Sequence, residues 1–196
     1  MEWADVRELY YITPINNVAS IMQHGIFSHE FSKRVAHDSL AMKEIQSIRK
    51  NKRIPNARKL HEYVNLYFDA HNPMLSKRRD QNNQICILCI NRSVLNLPDV
   101  VISDQNAASN YVRFYPAPEG LAALDKDIIF ATSWKHPQNQ IAEWAHSSAK
   151  CAEVLVPERI EPEYVMGAYV ANQTALKAFE KLEIQLTVCI RSDIFF

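Results

Sequence analysis

The chain has 196 residues, 22 basic and 22 acidic side chains, and 47% hydrophobic residues. This composition is typical of a soluble globular protein and excludes disordered and fibrous classes. No apolar run reaches the roughly 20 residues that a membrane helix needs, and residues 1–7 lack the basic-then-apolar order of a signal peptide. We therefore expect a cytoplasmic protein with a single domain, residues 1–196.

Charge is distributed unevenly along this neutral chain. From Lys33 to Arg79, twelve Lys and Arg residues stand against four acidic ones, so this segment carries +8 and the other parts together carry −8. A basic face of this kind attracts the phosphates of nucleic acid. A solvated helical face without a partner would give the same count.

The N-terminal pattern predicts a strand followed by a helix. Residues 8–13 are rich in aromatic and β-branched side chains, which favour a strand, and Pro14 ends it. Asn16 or Asn17 can cap the helix that follows, and Gly25 ends that helix with a positive φ.

The rest of the chain mixes predicted helices and strands. Helices are expected over 41–53, 125–131 and 173–182, and 106–113 is either a short helix or an ordered loop. Residues 134–148 are polar and aromatic, and no element is predicted there. Strands are expected over 63–68, 84–91, 100–102, 153–156, 164–170 and 186–190. This order predicts an α+β fold in which most strands pair antiparallel.

Several familiar catalytic patterns are absent from the sequence. The chain has three glycines, far apart, which excludes the Rossmann and P-loop motifs. His61 and Glu62 begin a zinc-protease motif, but Asn65 occupies the position of its second histidine. Cys86 and Cys89 form a C-x-x-C, yet residues three apart in a strand point to opposite faces. We therefore expect no metal, and we expect these two cysteines and Cys189 to be buried in strands.

Six blocks of sequence, in order and nearly end to end, together resemble the DarT family, the toxin half of DarTG toxin–antitoxin systems. The blocks are YYITPINN at 10–17, EIQSIR at 44–49, HEYVNLYF with NPML at 61–75, SDQNAAS to RFY at 103–115, AEVLV at 152–156 and VCIRSD at 188–193. The chain departs from the family pattern at Tyr11 (a histidine there), Asn65 (a proline) and Gln105 (a glycine).

The resemblance implies an ADP-ribosyltransferase fold, with a split antiparallel β-sheet core and flanking helices that hold NAD in a central cleft. It implies transfer of ADP-ribose from NAD to a base of single-stranded DNA, usually thymine. The implied partner is a DarG-like macrodomain antitoxin that reverses the modification. Two alternatives remain open: the same chemistry on guanine, RNA or protein, and a non-catalytic module that binds nucleic acid.

The resemblance also assigns site residues. Cleavage of the nicotinamide–ribose bond builds positive charge on the sugar, which a carboxylate stabilises, and Glu153 is the matching residue. Arg49 matches the active-site arginine, whose planar fork grips phosphate or holds the acceptor base; Arg58 is the alternative if the register differs.

Two further sets follow from the same blocks. The residues assigned to NAD are Tyr11, Ile12, Thr13, Asn17, Tyr67 and Arg49. The residues assigned to nucleic acid are Met74, Lys77, Arg78, Asn106, Ser109, Arg113 and Lys150. Tyr63 shares a strand face with Tyr67, so this pair is expected either to flank nicotinamide or a base, or to pack in the core.

Overall fold

The computed structural model describes residues 1–32, 43–55 and 57–196. Its strands are β1 (Glu8–Pro14), β2 (Ile26–Phe27), β3 (Tyr63–Tyr67), β4 (Ile85–Asn91), β5 (Val101–Ser103), β6 (Phe114–Pro116), β7 (Glu153–Pro157), β8 (Arg159–Ile160), β9 (Val165–Val170) and β10 (Val188–Ile190). Its α-helices are α1 (Val18–His24), α2 (His29–Ser32), α3 (Lys43–Asn51), α4 (Pro73–Ser76), α5 (Lys126–Ile129), α6 (Gln140–Ala149) and α7 (Gln173–Glu180).

Within the described ranges, eight strands form one sheet in the order β10-β9-β4-β1-β3-β7-β5-β6, and β2 pairs with β8 separately. Every neighbouring pair is antiparallel except β9 with β10. β1 pairs with β4 along its whole length, but its register with β3 is a single pair, Tyr10 with Tyr67. The two strands diverge beyond that pair, so the sheet is split into two halves. The predicted α+β fold with a split antiparallel core is confirmed.

The central strands are buried on both faces, because their alternating side chains enter apolar clusters on either side of the sheet. On β1 and β4, Leu9 and Leu88 enter the largest apolar cluster, which also contains Phe179 of α7. Their strand neighbours Ile12 and Ile87 enter a second cluster on the opposite face. Helices and loops cover both faces, which is why 85–90 reads as one continuous apolar run rather than as an alternating one.

Two of the three cysteines that were predicted to be buried in strands are buried. Cys86 and Cys89 are buried on β4, whereas Cys189 is exposed on β10. The prediction for Cys189 is wrong because β10 lies at the edge of the sheet and little of the described chain covers it.

Other differences concern local elements and the basic segment. Of the two alternatives for 106–113, the structure has the loop, whereas α6 was not predicted. Positions 41 and 42 of the predicted helix lie outside the described residues, as do Lys33, Arg34 and Asp38 of the basic segment. No helix in the described part of the chain is long and apolar enough to cross a membrane.

Gly25 joins α1 to β2 at a point that only glycine tolerates. It ends α1 with a φ of +83°, and its N–H donates to the carbonyl of Ile21 at 2.7 Å. A Cβ atom here would lie 2.4 Å from the carbonyl oxygen of Ile160, because the β2–β8 pairing begins at the next residue.

We predict that Gly25→Ala lowers the free energy of unfolding by at least about 2 kcal/mol, because it adds left-handed backbone strain to a collision with main-chain atoms. Urea denaturation measures the loss. Gly167→Ala is the control: its Cβ would lie no nearer than 3.1 Å from the Thr187 carbonyl oxygen, so its loss should be smaller. Equal midpoints for Gly25→Ala and the unmodified chain would contradict this account.

Candidate active site

A cavity of about 480 Å³ lies where β1 and β3 diverge. Its volume falls within the range of small-molecule sites, roughly 300–1,000 Å³. Residues 11–14 of β1 and residues 63–65 and 67 of β3 line it, together with residues from all of the helices α1 to α4 and from α6. The split in the sheet therefore creates the space, and the surrounding helices and loops supply its polar groups.

Arg49 and Glu153 form a buried ion pair at this cavity. Arg49 Nη1 donates to Glu153 Oε1 at 3.1 Å, and Nη2 donates to Oε2 at 3.0 Å, a bidentate fork. Glu153 is 0% exposed and Arg49 is 7% exposed. Arg49 lines the cavity, while the Glu153 carboxylate lies behind it. The sequence predicted a Glu153 side chain directed into the cleft; the structure instead has Arg49 covering it.

Neighbouring strands fix the position of Glu153. It begins β7 and stands between Tyr67 on β3 and Ser103 on β5. Its N–H donates to Ser103 Oγ at 3.1 Å, and its Oε1 also accepts the Ala107 N–H at 3.0 Å. A buried carboxylate needs such partners because an unpaired charge is costly in a protein interior.

Burial and the charges of the ion pair together shift the pKa values of the groups around the cavity. Burial alone would lower the pKa of Arg49, but the charge and hydrogen bonds of Glu153 outweigh burial and raise this pKa above its ordinary value. Burial, followed by the negative charge of Glu153, raises the pKa of Tyr67 well above its usual range. Burial raises the pKa of Tyr11 to about 12. Both phenols therefore remain protonated at neutral pH and are available as hydrogen-bond donors.

All residues assigned to NAD from the sequence line this one cavity: Tyr11, Ile12, Thr13, Asn17, Tyr67 and Arg49. Tyr63 also lines it, on the same face of β3 as Tyr67. Asn17 does not cap α1 with its side chain, because it is itself the last residue of a 3-10 helix, Ile15–Asn17, that leads into α1. Its amide instead donates to Thr13 Oγ1 at 3.2 Å, which holds both polar groups at the cavity.

Five of the seven residues assigned to nucleic acid also line the cavity: Met74, Lys77, Arg78, Asn106 and Ser109. Arg113 is exposed outside the cavity, and its main-chain N–H donates to Asp104. Arg58, the alternative to Arg49, pairs with Glu158 at the surface, also outside the cavity.

The assignment of Lys150 to nucleic acid needs correction. Its side chain is buried, with 1% exposure. Nζ donates to Asp69 Oδ2 at 2.5 Å and to the carbonyl of Ile129 at 2.9 Å. The ammonium group is therefore used inside the protein and does not reach a phosphate. A basic residue shortly before Glu153 gives the same sequence pattern whether it binds nucleic acid or pairs with a buried acidic group.

Sequence reasoning missed the wall of the cavity formed by α6. Trp144, Ser147, Ser148 and Cys151 all line the cavity. Trp144, Ser147 and Ser148 lie on one face of α6, and Cys151 follows the end of the helix. This three- and four-residue spacing is the signal that the sequence contains, although polar residues on both faces of the helix obscure it. His29 and His61 were also missed; both line the cavity, with ring centroids 4.3 Å apart. Among the described residues, no group of three or more His, Cys, Asp or Glu side chains is placed to hold a metal ion.

Comparison with known proteins identifies the family. Residues 10–196 match the family model described as DarT, ssDNA thymidine ADP-ribosyltransferase. The chain belongs to the DarT family. A relative from Thermosipho africanus (strain H17ap60334), a DNA ADP-ribosyl transferase–DNA ADP-ribosyl glycohydrolase fusion protein, is 32% identical over 185 residues, or 89% of this chain. The alignment covers 45% of that relative, so the chain spans less than half of its length.

Two solved DarT structures share the fold. Thermus sp. 2.9 DarT in complex with ADP-ribosylated ssDNA is 25% identical, with a TM-score of 0.82 over 98% of this chain and 97% of that chain. The complex of the same protein with carba-NAD+ is also 25% identical, with a TM-score of 0.76 over 97% and 98%. The predicted ADP-ribosyltransferase fold is therefore confirmed.

We predict that Lys150→Met, which keeps most of the unbranched side chain but removes its charge, lowers the free energy of unfolding by about 2–4 kcal/mol, because it leaves Asp69 without its cation. Urea denaturation measures the change. Lys126→Met is the control, since its pair with Asp5 is solvent-accessible and should contribute much less. If Lys150→Met kept its stability but weakened the salt dependence of DNA binding, Lys150 would contact phosphate after all.

Proposed function

We propose that this chain transfers ADP-ribose from NAD to thymine in single-stranded DNA. The observation that carries the proposal is the buried Arg49–Glu153 fork at the edge of a cavity in a DarT-family chain. The solved complexes of Thermus sp. 2.9 DarT with carba-NAD+ and with ADP-ribosylated ssDNA support the same pair of substrates here.

The cavity suits NAD as a co-substrate. Without a glycine-rich loop, the pyrophosphate must be held by side chains and main-chain donors, and Thr13, Asn17 and Arg49 supply polar groups there. Tyr11 and Tyr67 add aromatic surface and protonated hydroxyl groups. Ile12 also lines the cavity, from the other face of β1.

Glu153 supplies the negative charge that the reaction requires. NAD contributes a nicotinamide–ribose bond whose cleavage makes the sugar positively charged. A carboxylate fixed in a buried site stabilises that charge strongly and can also accept the proton that the acceptor base loses. We propose that Arg49, which covers this carboxylate, turns toward the phosphates or the acceptor base when the substrates enter.

The acceptor strand enters past the polar rim of the cavity. Lys77 and Arg78 follow α4 directly and supply positive charge for the phosphate backbone. Met74, Asn106 and Ser109 line the cavity itself and are assigned to the acceptor nucleotide. Arg113 lies outside the cavity and is assigned to a more distant part of the strand.

The biological setting is part of the proposal. We propose that residues 1–196 form one transferase domain that acts as the toxin of a toxin–antitoxin pair. The fusion relative joins a DNA ADP-ribosyl transferase to a DNA ADP-ribosyl glycohydrolase, which supports a macrodomain antitoxin with that activity as the partner. A cytoplasmic location fits four cysteines that remain free thiols.

We predict that Glu153→Gln lowers kcat/KM for labelling a thymidine oligonucleotide with radiolabelled NAD by at least about 100-fold, because it removes the charge that stabilises the sugar cation. Arg49→Lys should also lose most activity, since an ammonium group cannot form the fork. Arg58→Lys is the matched control, an arginine that pairs with a glutamate outside the cavity, and should keep activity.

Carba-NAD binding and thermal melting establish that each variant is folded. Activity of folded Glu153→Gln at the level of the unmodified chain would contradict the assigned role. Guanine-containing DNA, RNA and protein acceptors are tested beside the thymidine oligonucleotide. Labelling of one of these in place of thymidine would overturn the proposed acceptor while leaving the transferase chemistry intact.

A further inference from the structure

Two large apolar side chains on α6 are left uncovered beside the cavity. Trp144 is 66% exposed and Ile141 is 76% exposed. Trp144 also lines the cavity, and Ile141 lies one helical turn before it on the same face. That face continues through Ser147 and Ser148 into the cavity, so Trp144 stands at the cavity mouth.

The other face of α6 anchors the helix to its surroundings. Glu143 accepts hydrogen bonds from the side chain of Lys135 and the main-chain N–H of His136. His146 contacts the His136 ring at 3.0 Å and the Ile128 carbonyl at 3.1 Å, and Lys150 bonds Asp69 and Ile129. These polar contacts fix the rotation of α6. The contacts on the opposite face of α6 therefore hold the Trp144 ring toward the mouth of the cavity.

Positive charge also lies on the wall of this cavity. Lys77 and Arg78 line the same cavity as Trp144. Cys151, just after α6, and Met74 of α4 line this cavity as well, so the segments that carry Trp144 and the two cations border the same space. An exposed aromatic ring at a cavity that two cations also line matches one chemistry in particular: an unpaired base with its phosphates.

We propose that Trp144 stacks on an unpaired base of the acceptor strand, adjacent to the base that is modified. The inference rests on the proposed function and adds a positioning contact for the strand. Stacking on an aromatic ring tolerates any base, because every base has a π-face. A second copy of this chain would also cover Ile141 and Trp144, but the positive charge of Lys77 and Arg78 on the wall of the same cavity favours a polyanionic strand.

The test compares Trp144→Ala with Trp144→Phe in binding a fluorescent thymidine oligonucleotide without NAD and in labelling it with NAD. Trp144→Ala should raise both Kd and KM about 5- to 100-fold, and Trp144→Phe should remain within about threefold of the unmodified chain, because its ring still stacks. The affinity of Trp144→Ala for carba-NAD should not change. Met166→Ala is the control, an exposed apolar residue of β9 that lies outside the cavity.

The outcomes separate this inference from the proposed function. If the unmodified chain neither binds nor labels the oligonucleotide, both fail. If it does both and Trp144→Ala matches it, only the stacking is wrong. Sedimentation of the chain without DNA provides a further test. A dimer that Trp144→Ala abolishes would show that a second copy covers this face, which would also overturn the inference.

Discussion

The bidentate bond between Arg49 and Glu153 determines how the rest of the cavity is built. It joins α3 to β7 across 104 residues of sequence and balances a carboxylate that has no contact with solvent. Such a charge is tolerated only when its partners are in place, so the loop after β5 supplies the Ala107 N–H to the carboxylate, while Ser103 of β5 holds the main-chain N–H of Glu153. The reactive carboxylate is thus held rigidly before any substrate arrives, which is what electrostatic stabilisation of a developing charge requires.

A second, partly buried ion pair supports the first. Lys150 lies one residue after α6 and Asp69 two residues after β3, and only Cys151 and Ala152 separate Lys150 from Glu153. The same short segment is therefore fixed once by Asp69 and once by Arg49. This arrangement ties the start of β7 to the rotation of α6, and so to the exposed ring of Trp144. The carboxylate and the proposed stacking surface are positioned by one continuous piece of chain.

Much of this arrangement follows from sequence, and the exceptions have physical reasons. Alternation and apolar runs give the strands, and the family pattern brings Arg49 and Glu153 together, although neither residue by itself indicates the other. What the pattern lacks is the direction in which a polar side chain points. Lys150 has the same neighbours in sequence whether it faces DNA or Asp69, and α6 carries polar residues on both of its faces, which obscures its helical period. Cys189 lies in an apolar run whose exposure depends on which strand occupies the edge of the sheet.

A crystal structure of this chain with carba-NAD tests the central claim most directly, since it shows which groups surround the ribose that is transferred. The account predicts C1′ of the nicotinamide ribose within about 4 Å of a Glu153 carboxylate oxygen, with the Arg49 guanidinium turned away from Glu153 toward the ligand. A dinucleotide bound elsewhere, with the Arg49–Glu153 fork still closed and shielding the carboxylate, would contradict it.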